Sequence, residues 1–120
     1  MRVLSYLAIT GLAALVIAPV AAAHSLLLES TPAAGSTLPA APRELRLRFN
    51  NRIEKPLSKV RLLDSRGAAT TVELTTDGVP PDWLRAPLPA LDPGRWRVEW
   101  QVLSTDGHVV TGRFDFQIAP

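Results

Sequence analysis

The 120-residue sequence contains no cysteine, and its one methionine is Met1. Without thiols there is no disulfide to constrain the chain, no thiolate nucleophile and no thiolate metal ligand. Beyond residue 1 there is no thioether either, so the soft donors preferred by Cu(I) are missing. Histidine occurs only at His24 and His108, which leaves two imidazoles for any general-base chemistry. The nucleophile elbow G-x-S-x-G, the phosphate-binding loop and the dinucleotide-binding glycine pattern are all absent. Thirteen basic residues oppose eleven acidic ones, for a net charge of +2. The basic residues form no run, which excludes an electrostatic footprint for nucleic acid. Together these absences argue against an enzyme.

What the chain does have begins at its start. Met1 and Arg2 precede "VLSYLAITGLAALVIAPVAAA", which carries no charge. A basic start, an apolar run and the small residues Ala21 and Ala23 are the layout of a secretory signal peptide cut after Ala23. A membrane anchor is the alternative, because the run is nearly long enough to span a bilayer. The cleavage signal favours a leader over residues 1–23 and a mature domain over 24–120, periplasmic or secreted. No second long apolar segment follows, so the mature form is expected to be soluble. Cleavage would leave His24 as the first residue. It would then offer an imidazole and a free α-amine, which can close a chelate ring on one metal ion.

The mature segment reads as strands. In "ELRLRF", Leu45, Leu47 and Phe49 alternate with charged residues. In "RWRVEWQV", Trp96, Val98, Trp100 and Val102 do the same, and in "VTGRFDFQI" the apolar set is Val110, Phe114, Phe116 and Ile118. A period of two puts one face on a core and the other in water. "SLLLE", "SKVRLLD", "TTVEL" and "WLRAPL" are weaker strand candidates, separated by Gly/Pro/Asp turn signals. About seven short strands in under about a hundred residues predict an all-β antiparallel β-sandwich of immunoglobulin-like size. "TPAAGSTLPAAP" reads as a connection between the first two strands. Trp96 and Trp100 read as core, whereas Trp83 could cap the sandwich or line a site.

The donors that could bind a metal are His24, Asp106 and His108. In an extended segment Asp106 and His108 are two apart and leave the same face. With the His24 amine they offer three nitrogens and one oxygen, a set that suits tetragonal Cu(II). The alternative is structural, because Asp-Gly between alternating strands is a strong hairpin signal. A two-residue turn with Asp106 and Gly107 at its tip would send the carboxylate and the imidazole in different directions. A ligand pair needs a looser connection.

These motifs resemble the CopC family of periplasmic copper-binding proteins. The leader ends at a histidine, "STPAAG" follows, and an alternating strand ends at Phe49. The long tail "LDPGRWRVEWQVLSTDGHVVTGRFDFQI" then repeats that family's order of V-x-W, S-x-D-x-H, glycine and F-x-F. The resemblance spans the mature chain. It implies a Greek-key sandwich that holds one Cu(II) per chain through His24, Asp106 and His108, and sequesters or delivers it. Some members are fused to a membrane copper transporter, which makes a separate transporter a candidate partner that the sequence itself does not reveal. Two departures stand out: no methionine-rich Cu(I) site is possible, and Asn51 occupies a position where some members carry glutamate. The competing functions are a small histidine-brace copper oxidative enzyme and a metal-free β-sandwich interaction module.

Overall fold

A computed structural model describes residues 26–120 together with Gly11; the leader expected over 1–23 and the proposed ligand His24 lie outside the described span. Eight strands occur in the order β1 (Leu27–Thr31), β2 (Thr37–Leu38), β3 (Glu44–Phe49), β4 (Lys59–Leu63), β5 (Ala69–Thr71), β6 (Trp83–Pro87), β7 (Gly94–Leu103) and β8 (Val109–Ile118). One 3-10 turn, Lys55–Leu57, precedes β4.

The strands form two sheets, ordered β1-β3-β6 and β2-β8-β7-β4-β5. Consecutive strands cross repeatedly between the sheets, in connections of the Greek-key kind. The alternating segments behave as their pattern requires. Leu45, Leu47 and Phe49 of β3, Val60 and Leu62 of β4, and Val98 and Val102 of β7 are all buried. They meet Leu84, Phe114, Phe116 and Ile118 in one core between the sheets. Each such side chain contributes about 1.5–3 kcal/mol relative to exposure, so this layer is the main stabilising term.

Trp96 and Trp100 share the inner face but are only half-buried, packed against the core from its rim. Trp100 meets Phe49 edge-on, with ring centroids 6.2 Å apart, and Phe114 at 5.9 Å. It thereby joins the two sheets.

The connection after β1 proves more ordered than its composition suggests. The Gly35 N–H donates to Asp115 O at 2.7 Å, the Gln117 N–H to Ser36 O and the Ala119 N–H to Leu38 O. The segment therefore crosses to the second sheet, where β2 pairs with β8 in parallel, a departure from the all-antiparallel expectation. A two-residue strand carries too little periodicity to be read from sequence.

On the outer face of the smaller sheet, Glu44 accepts hydrogen bonds from Arg85 Nε at 2.7 Å and Arg46 Nε at 2.8 Å. Arg85 first, and Arg46 after it, hold the Glu44 carboxyl down to about 2 from its ordinary 4.5. A depressed carboxyl stabilises the fold above its unfolded-state value, and that contribution is lost as pH falls from 4.5 through about 2. The group is partly solvated, so the effect is modest. Urea midpoints at pH 7 and pH 3 are expected to differ less in Glu44→Gln than in the parent.

Candidate metal centre

The β7–β8 hairpin holds Asp106 and His108. Its strands pair as far as Leu103 opposite Val109, leaving the five residues 104–108 as the loop. The Gly107 N–H donates to Ser104 O at 3.0 Å, closing a four-residue turn with Thr105 and Asp106 at its centre. Gly107 follows with φ +83°, a left-handed conformation that a side chain would strain. The Ser104 N–H then donates to His108 O at 3.0 Å. This is a turn followed by a glycine bulge, longer than a two-residue tip.

The looser geometry brings the two side chains together. The His108 N–H donates to Asp106 Oδ1 at 3.0 Å, and His108 Nδ1 lies 2.9 Å from Asp106 Oδ2. An ionised carboxylate can only accept, so this contact is a hydrogen bond when Nδ1 carries the proton, the tautomer of the neutral ring that leaves a lone pair on Nε2. A carboxylate that fixes the tautomer and the ring angle of a histidine is the usual support of a metal-binding imidazole. The carboxylate oxygens have lone pairs beyond those used on His108, so direct ligation by Asp106 is compatible with this contact. The His108 side chain is 65% exposed and that of Asp106 22% exposed, so an ion from solvent can reach the pair. Among the described residues, no group of three or more His, Cys, Asp or Glu side chains gathers as a ligand set.

Sequence reasoning missed what lies under the loop. Ser104 and Ser58 are the two buried polar residues among those described. Ser104 Oγ donates to His108 O at 3.3 Å. Ser58 Oγ donates to Glu54 O at 2.8 Å and accepts the Leu103 N–H at 3.3 Å. Glu54 N–H donates to Leu103 O, and Ile53 bridges Ser104. Residues 53–58 thus brace the foot of the loop. The only sequence signal was polar residues interrupting apolar surroundings. Ser104→Ala removes a buried hydroxyl bond worth about 1 kcal/mol. It is expected to lower the melting temperature by roughly 4–8 °C in thermal denaturation.

The start of the described chain is fixed at the same end of the sandwich. Leu26 N–H donates to Asn50 Oδ1 at 2.8 Å, and Asn50 N–H donates to Leu26 O at 3.0 Å. Asn50 directly follows β3, and three residues later Ile53 meets Ser104. Asn51 lies on the segment between them. Trp83 is placed otherwise, on the outer face of the smaller sheet, where it borders a hollow with Arg46, Pro80 and Arg85.

Comparison with known proteins now adds to this geometry. The CopC domain matches residues 27–119. Copper resistance protein C of Escherichia coli is 30% identical, with 98% of this chain aligned to 99% of that protein. The crystal structure of CopC from Methylosinus trichosporium OB3b has a TM-score of 0.73 at 33% identity, covering 81% of this chain and 95% of that one. PcoC of Escherichia coli, a methionine-rich copper resistance protein, follows at 0.67 and 28%, over 79% of this chain and 98% of its own. The matched span runs through both sheets, the Asn50 clamp and the Asp106–His108 loop, and on that ground the chain belongs to the CopC family.

Proposed function

We propose that this protein is exported, begins at His24 after cleavage of its leader, and binds one Cu(II) as cargo, to sequester it or pass it on. It acts by binding rather than by catalysis, in the periplasm or outside the cell. The observation that carries the reading is the Asp106–His108 pair, 2.9 Å apart on a braced loop. Its support is the family, whose relatives are named for copper resistance.

The donor set fits the ion. Imidazole nitrogen and carboxylate oxygen suit Cu(II), which heads the affinity order among divalent first-row ions. The chain lacks cysteine and has no methionine after Met1, so Cu(I) finds no soft ligand. Two chain residues beyond Leu26 reach at most about 7 Å. Asn50 clamps Leu26 at the loop's end of the sandwich, and this reading requires His24, two residues earlier, to meet the loop from there. Its amine and imidazole complete the set with His108 Nε2 and Asp106.

The test is Cu(II) titration with mass spectrometry and electron paramagnetic resonance on the exported chain. One Cu(II) per chain and a tetragonal centre with nitrogen couplings are expected. His108→Ala is expected to change those couplings and to weaken binding more than Asp106→Ala, since it removes a nitrogen donor rather than an oxygen. An unchanged spectrum and affinity in His108→Ala would place the copper elsewhere. Competition with chelators for each oxidation state is expected to favour Cu(II), and tighter Cu(I) binding would defeat that part of the reading.

A further inference from the structure

The outer face of the five-stranded sheet has a charge pattern for which metal binding has no use. Opposed residues share a face, so the side chains fall in rows across β4, β7 and β8. Leu103 and Val109 form the row next to the metal loop, and Leu57 borders it through Ser58. Lys59, Gln101 and Thr111 form the next row, then Arg61, Glu99 and Arg113, then Leu63, Arg97 and Asp115. Arg95 stands beyond, opposite Gln117.

This face carries five cations and two carboxylates. The rest of residues 26–120 carries seven cations and nine carboxylates, so the two parts have opposite sign. Arg61 pairs with Glu99, while Arg97 and Arg95 share Asp115. Among the described residues, no carboxylate lies within ion-pair range of Lys59 or Arg113, and these two stand on opposite sides of β7. With Arg61, Glu99, Gln101 and Thr111 they border an open groove of about 580 Å³. At the end of the face nearest the loop, Leu57 is 65% exposed and Val109 60%.

We propose that this face docks an acidic segment of a partner protein. Its carboxylates enter the groove between Lys59 and Arg113, and apolar side chains cover Leu57 and Val109. The charge excess and the two cations without carboxylates call for an anionic occupant. Concavity, together with the amide of Gln101 and the hydroxyl of Thr111, suits a polypeptide, whose backbone can hydrogen-bond to both. Glu99 is already paired with Arg61, which leaves Lys59 and Arg113 on either side of β7 as the cations that face an incoming carboxylate. The location rests on the copper reading: His108 directly precedes Val109, so a partner seated on the first rows lies beside the imidazole and is placed to exchange copper with it.

The probe is poly-L-glutamate, titrated into isotope-labelled protein and followed by NMR. Shift changes are expected to concentrate at Lys59, Arg61, Gln101, Thr111 and Arg113, and to fade with salt because the attraction is screened within about 8 Å at physiological ionic strength. Lys59→Glu combined with Arg113→Glu is expected to weaken binding by at least about tenfold. Arg43→Glu combined with Arg66→Glu, two exposed arginines off this face, is expected to leave it within about twofold. Equal perturbation around Arg43 and Arg66, or a Lys59/Arg113 variant that binds as the parent does, would overturn the proposal. So would phosphatidylglycerol vesicles engaging this face where poly-L-glutamate does not. Cu(II) titration of the same variant separates the two claims. Normal copper binding with lost poly-L-glutamate binding supports docking at this face. Poly-L-glutamate binding by a chain that takes up no Cu(II) would overturn the copper reading and the exchange role, while acidic docking stands.

Discussion

Acetylating the α-amine of a chain that begins at His24 is expected to weaken Cu(II) binding by more than about a hundredfold, beyond the 10–100-fold typical of losing a hydrogen bond that merely orients a ligand. The amine and the imidazole of a terminal histidine belong to one residue, so the second donor binds without a further loss of translational freedom. Acetylation converts the amine to an amide, which no longer offers a basic lone pair, and the chelate ring is lost. Asp106 and His108 remain, supported by Ser104 and Gly107, and give a weaker site. Chelator competition on the free and acetylated chains measures the difference. The same measurement requires N-terminal sequencing of the exported protein, which is expected to find His24 first. Equal affinities would show that the amine takes no part, and a different first residue would remove it from the site altogether.

Gly112→Ala is expected to be the most destabilising single methyl addition in the described fold. Gly112 faces Trp100 across the β7–β8 ladder. A Cβ at this position would meet Trp100 Cζ2 at 2.2 Å and Cε2 at 2.5 Å, well inside van der Waals contact. Phe49 and Phe114 contact the indole and resist its displacement toward the core. Overpacking of a rigid aromatic belongs at the upper end of the usual range, about 3 kcal/mol. For a domain of this size that lowers the melting temperature by roughly 12–24 °C. Circular dichroism on heating measures it. A melting temperature within a few degrees of the parent would show that the sheets can separate locally at this seam. Because Phe49 adjoins the Asn50 clamp, a looser seam is also expected to release Leu26.

The long strands were legible because their information is local. "ELRLRF" and "RWRVEWQV" alternate at the strand period, and burying one face of each is enough to predict two sheets about a core. The inventory of possible donors is likewise a property of the sequence alone. A chain with no thiol, two histidines and Asp106 two residues before His108 narrows the metal chemistry without any coordinates. The short β2 was missed because two residues show no period, and its parallel pairing with β8 depends on a partner some eighty residues away.

The sequence by itself determined that the chain folds as strands around a core, that it offers no sulfur ligand after Met1, and which few donors a metal site could draw on. Only the tertiary structure decided the rest. Hydrogen bonds to Ser104 and a left-handed Gly107 made the Asp106–His108 loop a bulged turn instead of a two-residue tip, so carboxylate and imidazole meet. Pairing of β1 with β3, and the Asn50 clamp, brought Leu26 to the end of the sandwich where residues 53 and 104 touch. The rows of β4, β7 and β8 gathered cations that are far apart in sequence onto one face. The physical reason is common to all three. Periodicity and composition report what a residue prefers, whereas register and crossing connections, set by burial of the shared core, decide which residues become neighbours.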